Sequence, residues 1–208
     1  MASNAETALE RAISADERSR ATPLDALRAA RRMWLAEERI DMGALASVLG
    51  ISRATLYNWV GDRERLTAEV VWSIAERTIA HGREQARGSG PEFLSDVIGR
   101  YLEGLAHFEP TRRFIERDPE FALRVLTSDQ TPFHGRLIGA VRELVSEQMS
   151  SAGYEPPLDP ETLALVLVRI GESFIFNDLI TGSDPDLEKA VEASRVLLHA
   201  APLEPGRG

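Results

Sequence analysis

With 208 residues, no cysteine and a formal net charge of −9, the chain is long enough for a substantial core but cannot form disulfides or thiolate metal sites. Its longest apolar run, Leu163 to Val168, is too short to span a membrane, and its N-terminus carries charges where a secretory signal needs an apolar stretch. A cytoplasmic protein away from membranes is expected, with no metal and no cofactor.

Residues 1–22 are charged and Ala-rich with little apolar periodicity, and read as a mobile N-terminal arm. Pro23 suits a first helical turn, and Leu27, Ala30, Met33, Trp34 and Leu35 then recur at helical spacing through Glu38. The stretch from Asp41 to Leu66 organises the rest of the chain. Ala46 stands four residues before Gly50, and Gly50 six before Leu56, which is the spacing of a helix-turn-helix. Gly50 supplies the positive φ of a sharp turn, and Ala46 is small enough for the second helix to cross close over the first. Leu45, Leu49, Ile51 and Leu56 make the apolar seam between the two helices. Asp41 and Ser52 are strong N-caps, Gly61 is a stop, and Asp62 can cap the next helix.

This segment resembles the DNA-binding unit of TetR-family transcriptional regulators. Thr55, Leu56, Tyr57 and Val60 match in register the family's threonine, leucine, tyrosine, two variable residues and an apolar residue, and Arg63 stands where the family usually has a phosphate-contacting lysine. Two departures precede it: the usual glycine after the first helix is absent, and the linker is shorter. Opposite the apolar seam lie Ser52, Arg53, Ala54, Thr55, Tyr57 and Asn58. In a major groove Arg53 can pair with a guanine edge, Asn58 with an adenine edge or a phosphate, and Ala54 can touch a thymine methyl. The resemblance implies that Thr55, Tyr57 and Arg63 grip phosphates, which sets register without reading sequence. Trp59 is expected to be partly packed, with its indole N–H toward a phosphate. Charge is thin for a DNA binder. From Thr22 to Trp72 seven arginines face seven acidic residues, a balance of zero that weakens the DNA reading without sinking it, since Arg28, Arg31, Arg32, Arg53 and Arg63 can still make one basic face.

Beyond Asp62 the pattern stays helical: a rod to about Ala86, a break at Gly88–Pro91, and a helix from Phe93 that stops at Pro110. Short helices come next over Thr111–Arg117 and Phe121–Leu126, then longer ones over His134–Ala152, Glu161–Ile180 and Asp186–His199. No strand pattern or repeat appears, so the fold class is all-α. It divides into a head over 23–68, a helical ligand-binding and dimerisation domain over 69–201, and a polar tail over 202–208.

The C-terminal region resembles the family's ligand domain in the order and length of its helices, not in any motif. Tyr101, Phe108, Phe114, Phe121, Phe133 and Phe176 are candidate pocket aromatics. Polar residues interrupt an otherwise apolar helix at Arg169, Glu172, Ser173 and Asn177. They either satisfy one another at helical spacing or line an apolar pocket with a few convergent polar groups. Resemblance assigns the dimer interface to the last two helices, through Leu165, Val168, Val191, Val196 and Leu197. The expected function is that of a homodimeric regulator, a repressor released from a palindromic double-stranded DNA operator by a small apolar ligand. The rival reading is a helical small-molecule-binding or enzymatic domain with a vestigial head. Catalysis has little support, since the four histidines lack metal-ligand spacing and no nucleophile elbow or phosphate loop is present.

Overall fold

The computed structural model describes residues 21–176 and 186–202. The expected arm, up to residue 20, therefore lies outside the described residues, as do Asn177 and the tail from residue 203. Among the described residues every regular element is a helix: α1 (Pro23–Leu35), α2 (Met42–Val48), α3 (Arg53–Val60), α4 (Arg63–Gln85), α5 (Pro91–His107), α6 (Glu109–Arg117), α7 (Pro119–Thr127), α8 (Pro132–Ala152), α9 (Pro160–Ile175) and α10 (Leu187–Leu198).

Local chemistry explains most of the boundaries. Thr22 and Asp25 form a reciprocal capping box at the start of α1, so Thr22 holds the first turn of a helix and does not end a loose arm. Asp41, Ser52 and Asp62 each accept a backbone N–H at the starts of α2, α3 and α4. Gly50 and Gly61 take positive φ, 64° and 75°, at the two turns of the motif. Nothing lies near a Cβ built on Gly50, so backbone conformation alone demands glycine there.

Three sequence-based boundaries are corrected. The first helix ends at Leu35, before Glu38, because Glu37 turns to φ 58° and the amides of Glu37 and Glu38 close onto Trp34 and Met33 carbonyls. Glu37 thus occupies the left-handed position that a glycine would hold at no steric cost. Pro110 does not stop a helix; it sits in the first turn of α6, which starts at Glu109. A proline there removes only an N–H that has no helical partner anyway. The helix expected over Glu161–Ile180 begins at Pro160 and ends at Ile175, with Phe176 as its cap.

The long α4 is the spine. It packs against α1 at its head end and against α5, α7 and α8 along the body, while α9 and α10 pack on each other and on α8 and α5 respectively. Ala26, Ala30, Trp34, Leu45, Ala46 and Leu56 fill the space between α1, α2 and α3. The same apolar cluster continues through Leu66, Ala68, Val70 and Val71 of α4 into Phe121, Val125, Phe133 and Phe176. The boundary drawn at residue 68 falls inside α4, in the middle of this continuous core.

A second cluster, built on Leu94, Val97, Val145, Leu163, Leu167 and Leu198, closes the far end. Two polar contacts tie it together. The buried Gln148 amide oxygen accepts the Gly90 N–H at 2.8 Å, and Tyr154 Oη donates to the Leu198 carbonyl at 2.7 Å. Tyr154→Phe should therefore cost about 1–3 kcal/mol, because it leaves a buried carbonyl without its donor. Urea unfolding followed by circular dichroism would measure the loss.

Candidate nucleic-acid interface and ligand cavity

On α3 the Leu56 side chain is completely buried, whereas Ser52, Arg53, Ala54, Tyr57 and Asn58 are exposed and Thr55 is half-buried. One helix face therefore fastens the motif and the opposite one points outward. The Ser52 hydroxyl accepts the Thr55 N–H at 3.0 Å, and the two hydroxyls lie 2.8 Å apart. Trp59 is half-buried against the head core. The Arg53 guanidinium lies over Gly43, where the Asp41 carboxylate faces it. That carboxylate is held below the usual range, first by the backbone N–H groups of Ala44 and Gly43 and then by Arg53 and Arg39.

Arg63 is placed differently from the phosphate-gripping role that the resemblance assigns it. Its guanidinium carbon sits 4.0 Å from the centre of the Phe121 ring, inside the cleft between head and body. Burial depresses its pKa, and the nearby Arg39 adds to the effect. Its Nε is buried without a hydrogen-bond partner. A guanidinium on an aromatic face keeps its charge attracted while its plane is desolvated, an interaction of about 1–2 kcal/mol. The proposed basic face is smaller too, since Arg28 is paired with Asp25 at 3.0 Å and the Arg31 Nε is buried.

Phe121 is the centre of this junction. Its ring also meets Phe114 edge-on, at 5.9 Å, and Phe114 in turn packs on Trp34 of the head at 4.4 Å. Around these rings, Arg124 of α7 pairs with Glu64 at 2.9 Å and Arg136 of α8 makes a two-pronged contact with Glu69. Exposed pairs of this kind contribute little stability each, but they fix how α7 and α8 lie against α4.

The body holds a partly open cavity of about 550 Å³ between α4, α5, α6, α7, α8, α9 and the start of α10. Its wall is made mostly of aliphatic side chains, such as Val71, Ile98, Leu102, Leu137 and Leu167, with Phe133 and Phe176. Among the described residues, Tyr101, Thr111, Arg112, Glu116 and Glu172 are its polar members. Of the sequence-selected candidates, Tyr101, Phe133, Glu172 and Phe176 stand in this wall. Phe114 and Phe121 do not, since the head draws both rings into the junction. Phe108 ends α5 outside the lining. Arg169 reaches Glu172 at 2.8 Å from the half-exposed outer side, and the exposed Ser173 donates to the Ile170 carbonyl. Asn177 lies outside the described residues.

Sequence reasoning missed His134. It is almost fully buried at the start of α8, with Nε2 3.4 Å from Glu172 Oε1 and Nδ1 3.5 Å from the exposed Asp129. Burial raises the Glu172 pKa, while His134 and Arg169 oppose the rise. The Tyr101 phenol is pushed well above its ordinary range by burial and by the neighbouring Glu172 charge.

The proposed dimer residues divide by position. Leu165 and Val196 are exposed on α9 and α10. Val168, also assigned to the interface, is instead buried and lines the cavity, because the edge of α9 that turns inward falls between it and Leu165, one turn away. Val191 packs toward Gly99 of α5, and Leu197 is half-buried against the second cluster. Among the described residues no helix is long and apolar enough to cross a membrane.

Comparison with known proteins agrees with this geometry. Residues 89–199 match the family model described as the tetracyclin repressor-like C-terminal domain. No curated protein matches the chain. Among solved structures, the transcriptional repressor QsdR of the TetR family from R. erythropolis is 29% identical, with a TM-score of 0.80 over 88% of this chain and 97% of that one. The TetR family repressor AlkX from Dietzia sp., implicated in biodegradation of n-alkanes, is 23% identical, with a TM-score of 0.59 over 86% of this chain and 95% of that one. The AlkX likeness supports the fold. With the family model spanning more than half of its length, the chain belongs to the TetR family of transcriptional regulators.

Proposed function

We propose that the protein is a homodimeric, sequence-specific DNA-binding regulator, a repressor that an apolar small molecule releases from a palindromic operator. The observation that carries this reading is the single apolar core connecting the base of α3 to the cavity wall. Leu66 and Val71 lie on the same α4, the first under the head and the second lining the cavity. Leu126 and Phe121 do the same on α7, so two helices run from the cavity to the head. QsdR is itself described as a transcriptional repressor, which supports the same direction of control.

In this scheme Arg53 and Asn58 read base edges, and Ala54 meets a thymine methyl. Ser52, Thr55, Tyr57 and Trp59 hold the backbone. Arg63 acts as the latch between head and body and does not grip phosphate. Leu165 and Val196, on the outer faces of α9 and α10, contribute to a two-fold interface. Two heads must then stand about 34 Å apart, or at a multiple of that spacing, to enter successive major grooves. The ligand acts by binding the mis-spaced state more tightly, with a coupling of roughly 1–3 kcal/mol.

Gel-shift titration against the promoter regions of its own and adjacent genes, repeated across salt concentrations, tests the reading. Sequence-selective, salt-dependent binding is expected. Arg53→Ala should relax preference at one base pair per half-site by about 1–3 kcal/mol. Equal affinity for every sequence, or no binding at low salt, would remove the operator from the scheme.

A further inference from the structure

We propose that the cavity selects ligands whose apolar body carries a hydrogen-bond-donating or cationic group, an alcohol or an amine, and rejects carboxylates, with Glu172 as the selecting residue. This inference rests on the reading of the cavity as the ligand site and adds the chemistry of the ligand's polar end.

The wall offers a polar group few partners. Only five of its described residues are polar, and two of those are already occupied with each other. Arg112 pairs with Glu116 at 2.6 Å and with Glu109 at 2.7 Å. The one cation among the described lining residues is therefore saturated by carboxylates and has little left for an anionic ligand. Glu172 has no cationic partner within that lining. Its Oε2 takes one hydrogen bond from Arg169, which approaches from the outer surface of α9 and is not part of the wall. Its Oε1 is buried beside His134 Nε2, at 3.4 Å, with neither atom in a hydrogen bond. Tyr101 is the other polar group near this end, and the Glu172 charge acts on its phenol.

A carboxylate entering this cavity would place a second negative charge against Glu172 in a space walled by Leu, Val, Ile and Phe. Like charges brought together in such surroundings repel strongly, and an unpaired buried charge is costly by itself. An ammonium would donate to the free Oε1 of Glu172, whose Oε2 already holds Arg169, and a hydroxyl would donate to the same oxygen while accepting from Tyr101. The polar end thus discriminates by sign and by donor capacity, while the aliphatic wall is indifferent to the detail of the chain.

Three probes with one body and different heads separate these effects: decylamine, decanol and decanoate, each titrated into the full chain by calorimetry below its micelle concentration. Decylamine and decanol are expected to bind at one site per chain and to compete with each other. Decanoate should bind at least roughly tenfold more weakly than decylamine, the equivalent of about 1.4 kcal/mol. Glu172→Gln should abolish the advantage of decylamine over decanoate and leave decanol nearly unchanged. Decanoate binding as tightly as decylamine to the unaltered protein would overturn the inference while leaving the cavity a ligand site. Failure of all three to bind would remove the ligand-site reading itself and this inference with it. If Glu172→Gln does not fold, the ranking of the three probes on the unaltered protein still decides.

Discussion

Phe121→Ala is expected to destabilise the protein by about 3–5 kcal/mol and to weaken operator binding at the same time. The ring is 4% exposed and joins different parts of the molecule. It carries Arg63 of α4 on one face, meets the edge of Phe114 in α6, and sits in the apolar cluster that includes Leu66 and Trp34. Removing it leaves a void at the junction and takes away the surface on which the Arg63 guanidinium lies. That guanidinium has no hydrogen bond at its buried Nε to compensate. Phe121→Leu keeps most of the volume but not the aromatic face, and should cost about 1.5 kcal/mol. Urea unfolding should show one transition for both variants, displaced to lower denaturant. A loss below about 1 kcal/mol for the alanine variant, on the scale where core truncations cost roughly 2–5, would mean that the junction is not a packed core.

Leu56→Ala should cost about 2–5 kcal/mol and abolish sequence-selective DNA binding altogether. Leu56 has no exposed surface and is the residue by which α3 is fastened to α1 and α2. It is the fully buried residue of α3, with Trp59 and Val60 packed more loosely beside it, so the outward side chains depend chiefly on it for their position. Val48→Ala provides the internal comparison, because Val48 is 74% exposed at the end of α2. That change should move stability by no more than about 0.5 kcal/mol. Gel shifts on both variants, with circular dichroism to follow folding, would check the contrast. Full DNA binding by Leu56→Ala would mean that the recognition face is held by something other than this packing.

The head is the most legible part of the sequence because its geometry depends on local chemistry. Gly50 and Gly61 answer to backbone conformation, and Asp41, Ser52 and Asp62 answer to free amides one turn away. Each can be read without knowing what lies across the fold. Arg63 cannot be read this way. Family position suggests what a residue does, but an arginine side chain is long enough to turn toward a phosphate or an aromatic ring. Here it lies on the ring of Phe121, which is distant in sequence. The cavity poses the same difficulty. Helical periodicity marks Phe114, Phe121, Phe133 and Phe176 alike as inward, yet two of them pack at the junction and two line the cavity. Val168 belongs to a helix apolar on nearly every side, where composition gives no orientation. Pro110 suggests a stop because proline lacks an amide hydrogen, whereas the first turn of a helix does not need one. His134 carries no motif, and its partner Glu172 lies on another helix.

The unbroken core from α1 to Phe176 also decides how errors in this protein will present themselves. Because head and body share that core, the head is expected to show no melting transition of its own, and amides in α2 and α3 should exchange hydrogen only as the whole molecule opens. A genetic screen that scores loss of DNA binding will then collect substitutions at Val125, Phe133 or Leu137 as readily as at Arg53, although none of the first three would meet a base pair. The two classes separate in the cell by abundance: the first lowers the amount of folded protein, the second leaves it intact.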